Sequence, residues 1–342
     1  MTDKEFKLYL NDFPNKPHLV ILGAGATMAT IPNGDKNGKK SSVMNNFIDE
    51  LGLGDILKNI NLSTNSSNLE DIYSELYDKE EYKPERENLE QSIKNYLSEL
   101  KLPDYPTIYD FLILSLRNKD CIASFNWDDL LIKAYQRSLK ITDNLPNLLF
   151  LHGNVSAGFC AKCGEYGALN LECPNCGVRF IPSPILFPIK NKNYSSDQFI
   201  KTQWEQFKIK IQEAGFLTIF GYNAPQTDVE AIRIMQNAFS TESKFWHEIE
   251  VIDIADKSKI TNNWAFFGER THWHFNVVES FFDSILAEFP RRSMEGYYKR
   301  KLSPKGGWWG KSRVQFKNTF DNLNKIVEPL IENEKDNNYE VI

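Results

Sequence analysis

Long apolar runs are absent from this 342-residue sequence. No segment approaches the roughly 18 to 20 apolar residues that a membrane-spanning helix needs, so no such helix is predicted. The opening residues, MTDKEFKLYLNDF, contain neither an apolar core nor a small-residue cleavage site. We therefore expect a protein that is not exported, with the cytoplasm as its compartment.

An excess of basic charge is also missing, since the formal net charge is −6. Net charge therefore does not indicate nucleic-acid binding. The segment from Arg291 to Lys317 differs, because it holds nine Lys or Arg residues, one acid and five aromatic side chains. Such a segment would bind a polyanion or a partner, or it would be a solvated tail folding back on an acidic body. The solvated tail is the simpler expectation.

Cysteine is scarce, and the five cysteines are unevenly placed. Cys121 lies in an apolar run, whereas two C-x-x-C pairs contain Cys160, Cys163, Cys173 and Cys176. In a chain without an export signal, paired cysteines favour metal binding over disulfides. Four thiolates close a tetrahedral zinc site with no open position, so the predicted Zn²⁺ is structural.

Five short apolar runs predict buried strands, at residues 18–23, 121–125, 147–153, 216–221 and 249–255. Continuous rather than alternating apolarity is typical of strands covered on both faces, as in a parallel sheet. Apolar residues recur at helical spacing in 229–239 and 275–289, which predicts helices there. The predicted fold class is α/β, a Rossmann-like doubly wound parallel sheet with an inserted helical segment and a small zinc module built on four cysteines.

The predicted organisation has two parts. A catalytic, nucleotide-binding domain spans 1–290, with a helical insertion at 33–105 and the zinc module at 154–190. A basic and aromatic extension spans 291–342. The insertion and the extension are candidate surfaces for partners.

The first candidate site is LGAGAT at 22–27, directly after the first predicted strand. Gly23, Ala24 and Gly25 would bring the backbone close to a phosphate, and Thr27 would add a hydroxyl. The third glycine of G-x-G-x-x-G is replaced by Met28. A tight turn without a ligand explains the same residues.

Polar side chains also follow two other predicted strands. Asn126 and Asp128 come after the second strand, and His152 closes the third. Carboxyl ends of parallel strands share one edge, where ligands bind. His152 would then act as a general base with a pKa near neutrality. Helix capping is the ordinary alternative for Asn126 and Asp128.

Later strands end in comparable residues. Gly221 and Tyr222 follow the fourth strand, and Gly221 would permit close backbone approach. Asp228 and Asp253 would accept hydrogen bonds from ribose hydroxyls, or would cap helices.

In order, these motifs resemble the sirtuin family, in which a zinc module is inserted in an NAD-binding Rossmann domain. GAGAT resembles the family's GAG-x-S loop, and ASFNWD resembles T-Q-N-x-D, with Phe125 in place of glutamine. LHGN resembles the L-H-G that carries the catalytic histidine, and VIDIA stands where the family binds adenosine ribose. The likeness covers about residues 18–290 and implies NAD as substrate.

Three departures separate the sequence from sirtuin deacylases. TIPNGDKNG lacks the arginine of I-P-x-F-R, PILFPIKNKNY replaces V-F-F-G-E, and GYNAPQTD replaces G-T-S-x-x-V-x-P. The last form is similar to divergent sirtuin-like proteins of bacterial antiphage defence that hydrolyse NAD. The resemblance therefore implies a gated NAD⁺ glycohydrolase with a protein partner or self-assembly as its control. An NAD-dependent protein lysine deacylase and a non-catalytic nucleotide sensor are the alternatives.

Overall fold

The computed structural model describes residues 11–42, 44–45, 47–58, 60–189, 194, 197–224, 228–239, 248–265, 275–302 and 319–341. Within these ranges, no helix has the length and apolarity required to cross a bilayer.

A six-stranded parallel sheet forms the centre of the fold, and all five predicted strands belong to it. Its strands are β1 (His18–Leu22), β2 (Cys121–Ser124), β3 (Asn147–Phe150), β7 (Phe216–Phe220), β8 (Glu248–Ile252) and β9 (Phe275–Val278). The spatial order is β3-β2-β1-β7-β8-β9. Every pair is parallel. This is the order of the doubly wound dinucleotide-binding fold.

Helices cover the sheet. They are α1 (Ala24–Thr30), α2 (Phe47–Glu50), α3 (Leu69–Asp78), α4 (Lys83–Ser98), α5 (Ile108–Leu114), α6 (Leu130–Ser138), α7 (Gln198–Glu213), α8 (Val229–Phe239), α9 (Lys257–Asn263), α10 (Ile285–Glu288), α11 (Ser293–Tyr297) and α12 (Phe320–Lys335). The insertion predicted at 33–105 contains α2, α3 and α4, and α8 matches the predicted helix at 229–239. Several begin at side-chain caps, including Asn68 for α3 and Asp197 for α7.

The helix predicted over 275–289 is wrong. Residues 275–278 form β9, which pairs in parallel with β8, and a 3₁₀ turn at Phe281–Asp283 and the short α10 follow. Two serines explain the difference, because Ser280 accepts a hydrogen bond from the Phe282 amide and Ser284 accepts one from the Ala287 amide. These caps start new turns and interrupt what the apolar spacing suggested as one helix.

A second, three-stranded antiparallel sheet holds the cysteine region. It consists of β4 (Ala157–Phe159), β5 (Tyr166–Ala168) and β6 (Ile181–Pro182) in the order β5-β4-β6. The predicted four-cysteine module is therefore a separate small sheet joined to the end of β3.

The expectation of a solvated tail is wrong for its first two residues. Arg291 and Arg292 are 1% and 2% exposed, and both guanidinium groups bond the Glu334 carboxylate on α12. Met294 and Tyr297 of α11 join the same hydrophobic core as the sheet. The two-part division at residue 290 stays a prediction, and residues 303–318, with Trp308, Trp309 and Phe316, lie outside the described residues.

Candidate active site

The strand order reverses between β1 and β7, and two glycine-containing loops meet at that point. The Gly25 amide donates to the Gly221 carbonyl at 3.0 Å. A Cβ on Gly23 would stand 2.5 Å from the Gly221 oxygen, and one on Gly221 would stand 2.4 Å from the Ala26 nitrogen. Gly221 also has φ +62°. The glycines are thus required for close contact between the two loops, as well as for any approach to a ligand.

A cavity of about 350 Å³ opens beside this contact. It brings together seven of the predicted site residues, namely Gly23, Ala24, Asn126, His152, Gly221, Tyr222 and Asp228. Crevices at such a reversal are where doubly wound sheets bind ligands.

Asn126 is fixed by its amide nitrogen. This atom lies 2.8 Å from the Gly23 carbonyl, 3.0 Å from the Thr27 hydroxyl and 3.2 Å from the Tyr109 hydroxyl. Since the nitrogen is occupied, the amide oxygen is the atom of Asn126 that can accept a hydrogen bond from a ligand. Asn126 thereby connects the end of β2 with the glycine loop at residues 22–27.

Asp128 contacts the loop at 22–27 through Thr27 and does not line the cavity. Its carboxylate accepts hydrogen bonds from the Thr27 hydroxyl at 2.8 Å and the Leu130 amide at 3.1 Å. Burial raises the pKa of Asp128 to about 6, and these two bonds oppose the rise. Thr27 and Gly25 likewise serve the loop contact and are absent from the cavity wall.

His152 lies at the end of a chain of hydroxyl and carboxylate groups. Its Nε2 is 3.0 Å from the Tyr194 hydroxyl, which donates to Asp228 at 2.6 Å. Tyr222 donates to the other Asp228 oxygen at 2.8 Å. His152 Nε2 and Asp228 are 4.0 Å apart. An imidazolium formed at His152 would be stabilised by this carboxylate.

Aromatic packing sets the orientation of His152. Phe125 stacks on Tyr222 with ring centroids 4.1 Å apart and meets His152 edge-on at 4.8 Å. Tyr194 lies parallel to the histidine on another side, at 5.7 Å. Phe125 therefore forms part of the cavity wall.

Asp253 is not at this cavity. It follows β8, one strand further from the reversal, and its carboxylate accepts a hydrogen bond from the Ala255 amide at 2.8 Å. Its predicted role as an acceptor for ribose hydroxyls stays a prediction.

Sequence reasoning missed three contributors. Tyr109 and Tyr194 are single tyrosines outside any motif, and Glu70 belongs to the insertion. No signal marked the tyrosines. The predicted helical insertion at 33–105 includes Glu70, but the sequence did not reveal which side chains of the insertion would reach the cavity.

The four paired cysteines form one cluster. Their sulfur atoms all lie within 4.8 Å of one another. Tetrahedral Zn²⁺ with Zn–S bonds of about 2.3 Å needs sulfurs about 3.8 Å apart, so the cluster fits zinc after small adjustments. Backbone amides of Cys163 and Lys162 lower the pKa of the Cys160 thiol to about 7. The neighbouring thiols raise the pKa of Cys163 to about 12, and burial raises the pKa of Cys173. All four positions are cysteine, so a bound ion would have no open site for chemistry.

Comparison with known proteins identifies no family. No protein-family model matches the chain, and no curated protein matches it. Among solved structures, a Sir2 homologue in complex with NAD aligns at 12% identity over 86% of this chain and 91% of that one, with a TM-score of 0.38. A Sir2 variant with deacetylated p53 peptide and 3′-O-acetyl-ADP-ribose aligns at 13% identity over 87% and 99%, with a TM-score of 0.37. The fold assignment rests on the strand order and pairing of the sheet.

Proposed function

We propose that this protein is an NAD⁺ glycohydrolase that releases nicotinamide and ADP-ribose. One observation carries the proposal: Asn126 and His152 line one cavity, at the reversal point of a sheet with dinucleotide-binding strand order. The resemblance of the motifs to those of sirtuins agrees with it.

The reaction makes modest demands on the protein. Nicotinamide leaves as a neutral molecule from a cationic precursor, through an oxocarbenium-like state, so that no strong general acid is needed. The protein must hold the ribose, stabilise positive charge and position water. Two of the groups that would serve these demands, Asn126 and His152, line the cavity.

Three parts of the site would meet these demands. The Asn126 amide oxygen would orient the attacking water or the carboxamide. His152 would accept a proton from water or a ribose hydroxyl, with its charge stabilised by Asp228 through Tyr194. Thr27 and Asp128 would hold the glycine loop in place. The zinc cluster would be structural.

A protein lysine deacylase would use the same residues, with an acyl oxygen in place of water. The two activities separate in one assay, in which nicotinamide release is followed with and without an acylated peptide. We expect release without peptide, and loss of release in Asn126→Ala and His152→Ala. Release that requires the peptide would support the deacylase. Unchanged turnover in either variant would contradict the assigned site.

The wider proposal is a gated effector of bacterial antiphage defence. It rests on the resemblance of GYNAPQTD and on the cost to a cell of unrestrained NAD loss. A gate by self-assembly predicts that NAD cleavage per mole of protein rises with protein concentration. A gate by a separate partner predicts a flat, low value until the partner is added.

A further inference from the structure

Part of the wall of the cavity beside His152 comes from the insertion at 33–105. Met44, Asn45, Asn68 and Glu70 all line it. The Leu69 amide donates to the Met44 carbonyl at 2.9 Å, and the Asn68 side chain donates to Asn45 at 2.7 Å. These bonds join two separate parts of the insertion and place the first turn of α3 at the cavity.

An aromatic stack holds α3 in this position. Tyr73, one turn after Glu70, stacks on Phe187 with centroids 5.1 Å apart, and Phe187 contacts Trp127 at 5.3 Å. Tyr73 belongs to the insertion, Phe187 to the segment after the cysteines, and Trp127 to the loop after β2. Contacts among three segments of the chain therefore fix the position of α3. The position of Glu70 thus depends on this packing and not on a single loop.

The ionisable Asp, Glu, Lys and Arg side chains in the described lining of the cavity are all acidic. Its described lining includes the carboxylates of Glu70 and Asp228 but no lysine or arginine. Burial is the largest cause of the raised pKa values of Tyr194 and Tyr222, the two hydroxyls that bond Asp228. The charge of Asp228 comes next, and the charge of Glu70 adds a smaller contribution. Glu70 therefore acts electrostatically on the groups around His152.

Such a lining suits a cation. In NAD⁺ the nicotinamide ring is positively charged, and the charge moves to the ribosyl carbon as the bond breaks, whereas the pyrophosphate is negative. A carboxylate in a partly enclosed cavity stabilises nearby positive charge far more than it would in water.

We propose that Glu70 is a catalytic residue of the insertion, whose carboxylate faces the nicotinamide ribosyl cation and selects NAD⁺ over uncharged-ring dinucleotides. This inference rests on the proposed function. It assigns to the insertion a direct part in substrate recognition.

The test compares two ligands that differ in ring charge. NAD⁺ and NADH binding are measured by calorimetry in the full-length protein carrying His152→Ala, so that NAD⁺ is not consumed. Glu70→Gln is compared with Asp71→Asn, which removes one charge from the same helix turn but is not in the cavity wall. Turnover of NAD⁺ is then measured with His152 intact.

We expect the preference for NAD⁺ over NADH to fall on the order of tenfold in Glu70→Gln and to persist in Asp71→Asn. We also expect kcat to fall by roughly tenfold or more in Glu70→Gln. Thermal unfolding of the two variants checks that both fold alike.

Two outcomes would overturn the inference, and they are distinguishable. If the protein binds and cleaves NAD⁺ but Glu70→Gln behaves as Asp71→Asn, Glu70 has no such role and the proposed function survives. If neither dinucleotide binds and the protein with His152 intact releases no nicotinamide from NAD⁺, the proposed function fails and this inference fails with it.

Discussion

At the scale of single residues, the site depends on contacts that tolerate no extra atom. Gly221 illustrates this, because it combines φ +62° with backbone neighbours that leave no room for a Cβ. Gly52 has a similar φ of +68° but open space where a Cβ would stand. Comparing alanine substitutions at Gly221 and Gly52 separates the destabilisation caused by backbone conformation from the destabilisation caused by losing the loop contact.

Gly221→Ala should destabilise the fold by more than about 3 kcal/mol and abolish NAD binding, since the glycine loops must move apart. Gly52→Ala should cost about 1 kcal/mol, for conformation alone. Chemical unfolding and calorimetry measure both effects. Equal losses in the two variants would mean that the loop contact contributes nothing.

At the scale of elements, the buried carboxyl group of Glu250 on β8 contacts the start of α10. Both oxygens of Glu250 lie 3.2 Å from the Ile285 amide at the start of α10. Burial, with a contribution from the Glu248 charge, raises the pKa of Glu250 to about 8. The folded protein therefore binds a proton at pH values where the unfolded chain, with a glutamate pKa near 4.5, has lost it.

The sign of the pH dependence follows. Between about pH 4.5 and 8 the folded state holds more protons, so this group makes the free energy of unfolding fall as pH rises. Glu250→Gln keeps an acceptor for Ile285 and removes the titration. We expect the variant to lose part of that slope and to be more stable than wild type at pH 9. Parallel Tm curves from pH 5 to 9 would contradict this.

The helices and strands also show how much of the fold could be predicted from the sequence. Continuous apolar runs predicted five of the six strands, because burial on both faces leaves a clear local pattern. β9 was missed because its apolar residues also fit a helical period, and only the serine caps distinguish the two. At the site, residues after strands were predictable, whereas Tyr109, Tyr194 and Glu70 depend on long-range packing that has no local pattern.

At the scale of the whole molecule, one buried ionic cluster ties the end of the chain to the sheet. Arg291 and Arg292 share Glu334, and Arg291 also donates to the Leu116 and Asn144 carbonyls. Residues before β2, before β3 and in α12 thus meet at the amino ends of the strands, opposite the cavity.

Removing the shared carboxylate would leave two buried cations uncompensated. We expect Glu334→Ala to lower stability by about 3–5 kcal/mol. Glu332→Ala is the control, because Glu332 is 71% exposed and pairs only with exposed Lys335 among described groups; its cost should be within about 0.5 kcal/mol. Urea unfolding measures both, and similar midpoints would contradict an anchoring role for Glu334.

The central claim is that the cavity at the sheet's reversal point cleaves NAD⁺, and nicotinamide release tests it most directly. Purified wild-type protein and His152→Ala are incubated with NAD⁺ alone, and nicotinamide and ADP-ribose are quantified by chromatography. We expect equimolar products from wild type and none above background from the variant. NAD⁺ loss that is equal in the two proteins would contradict the account.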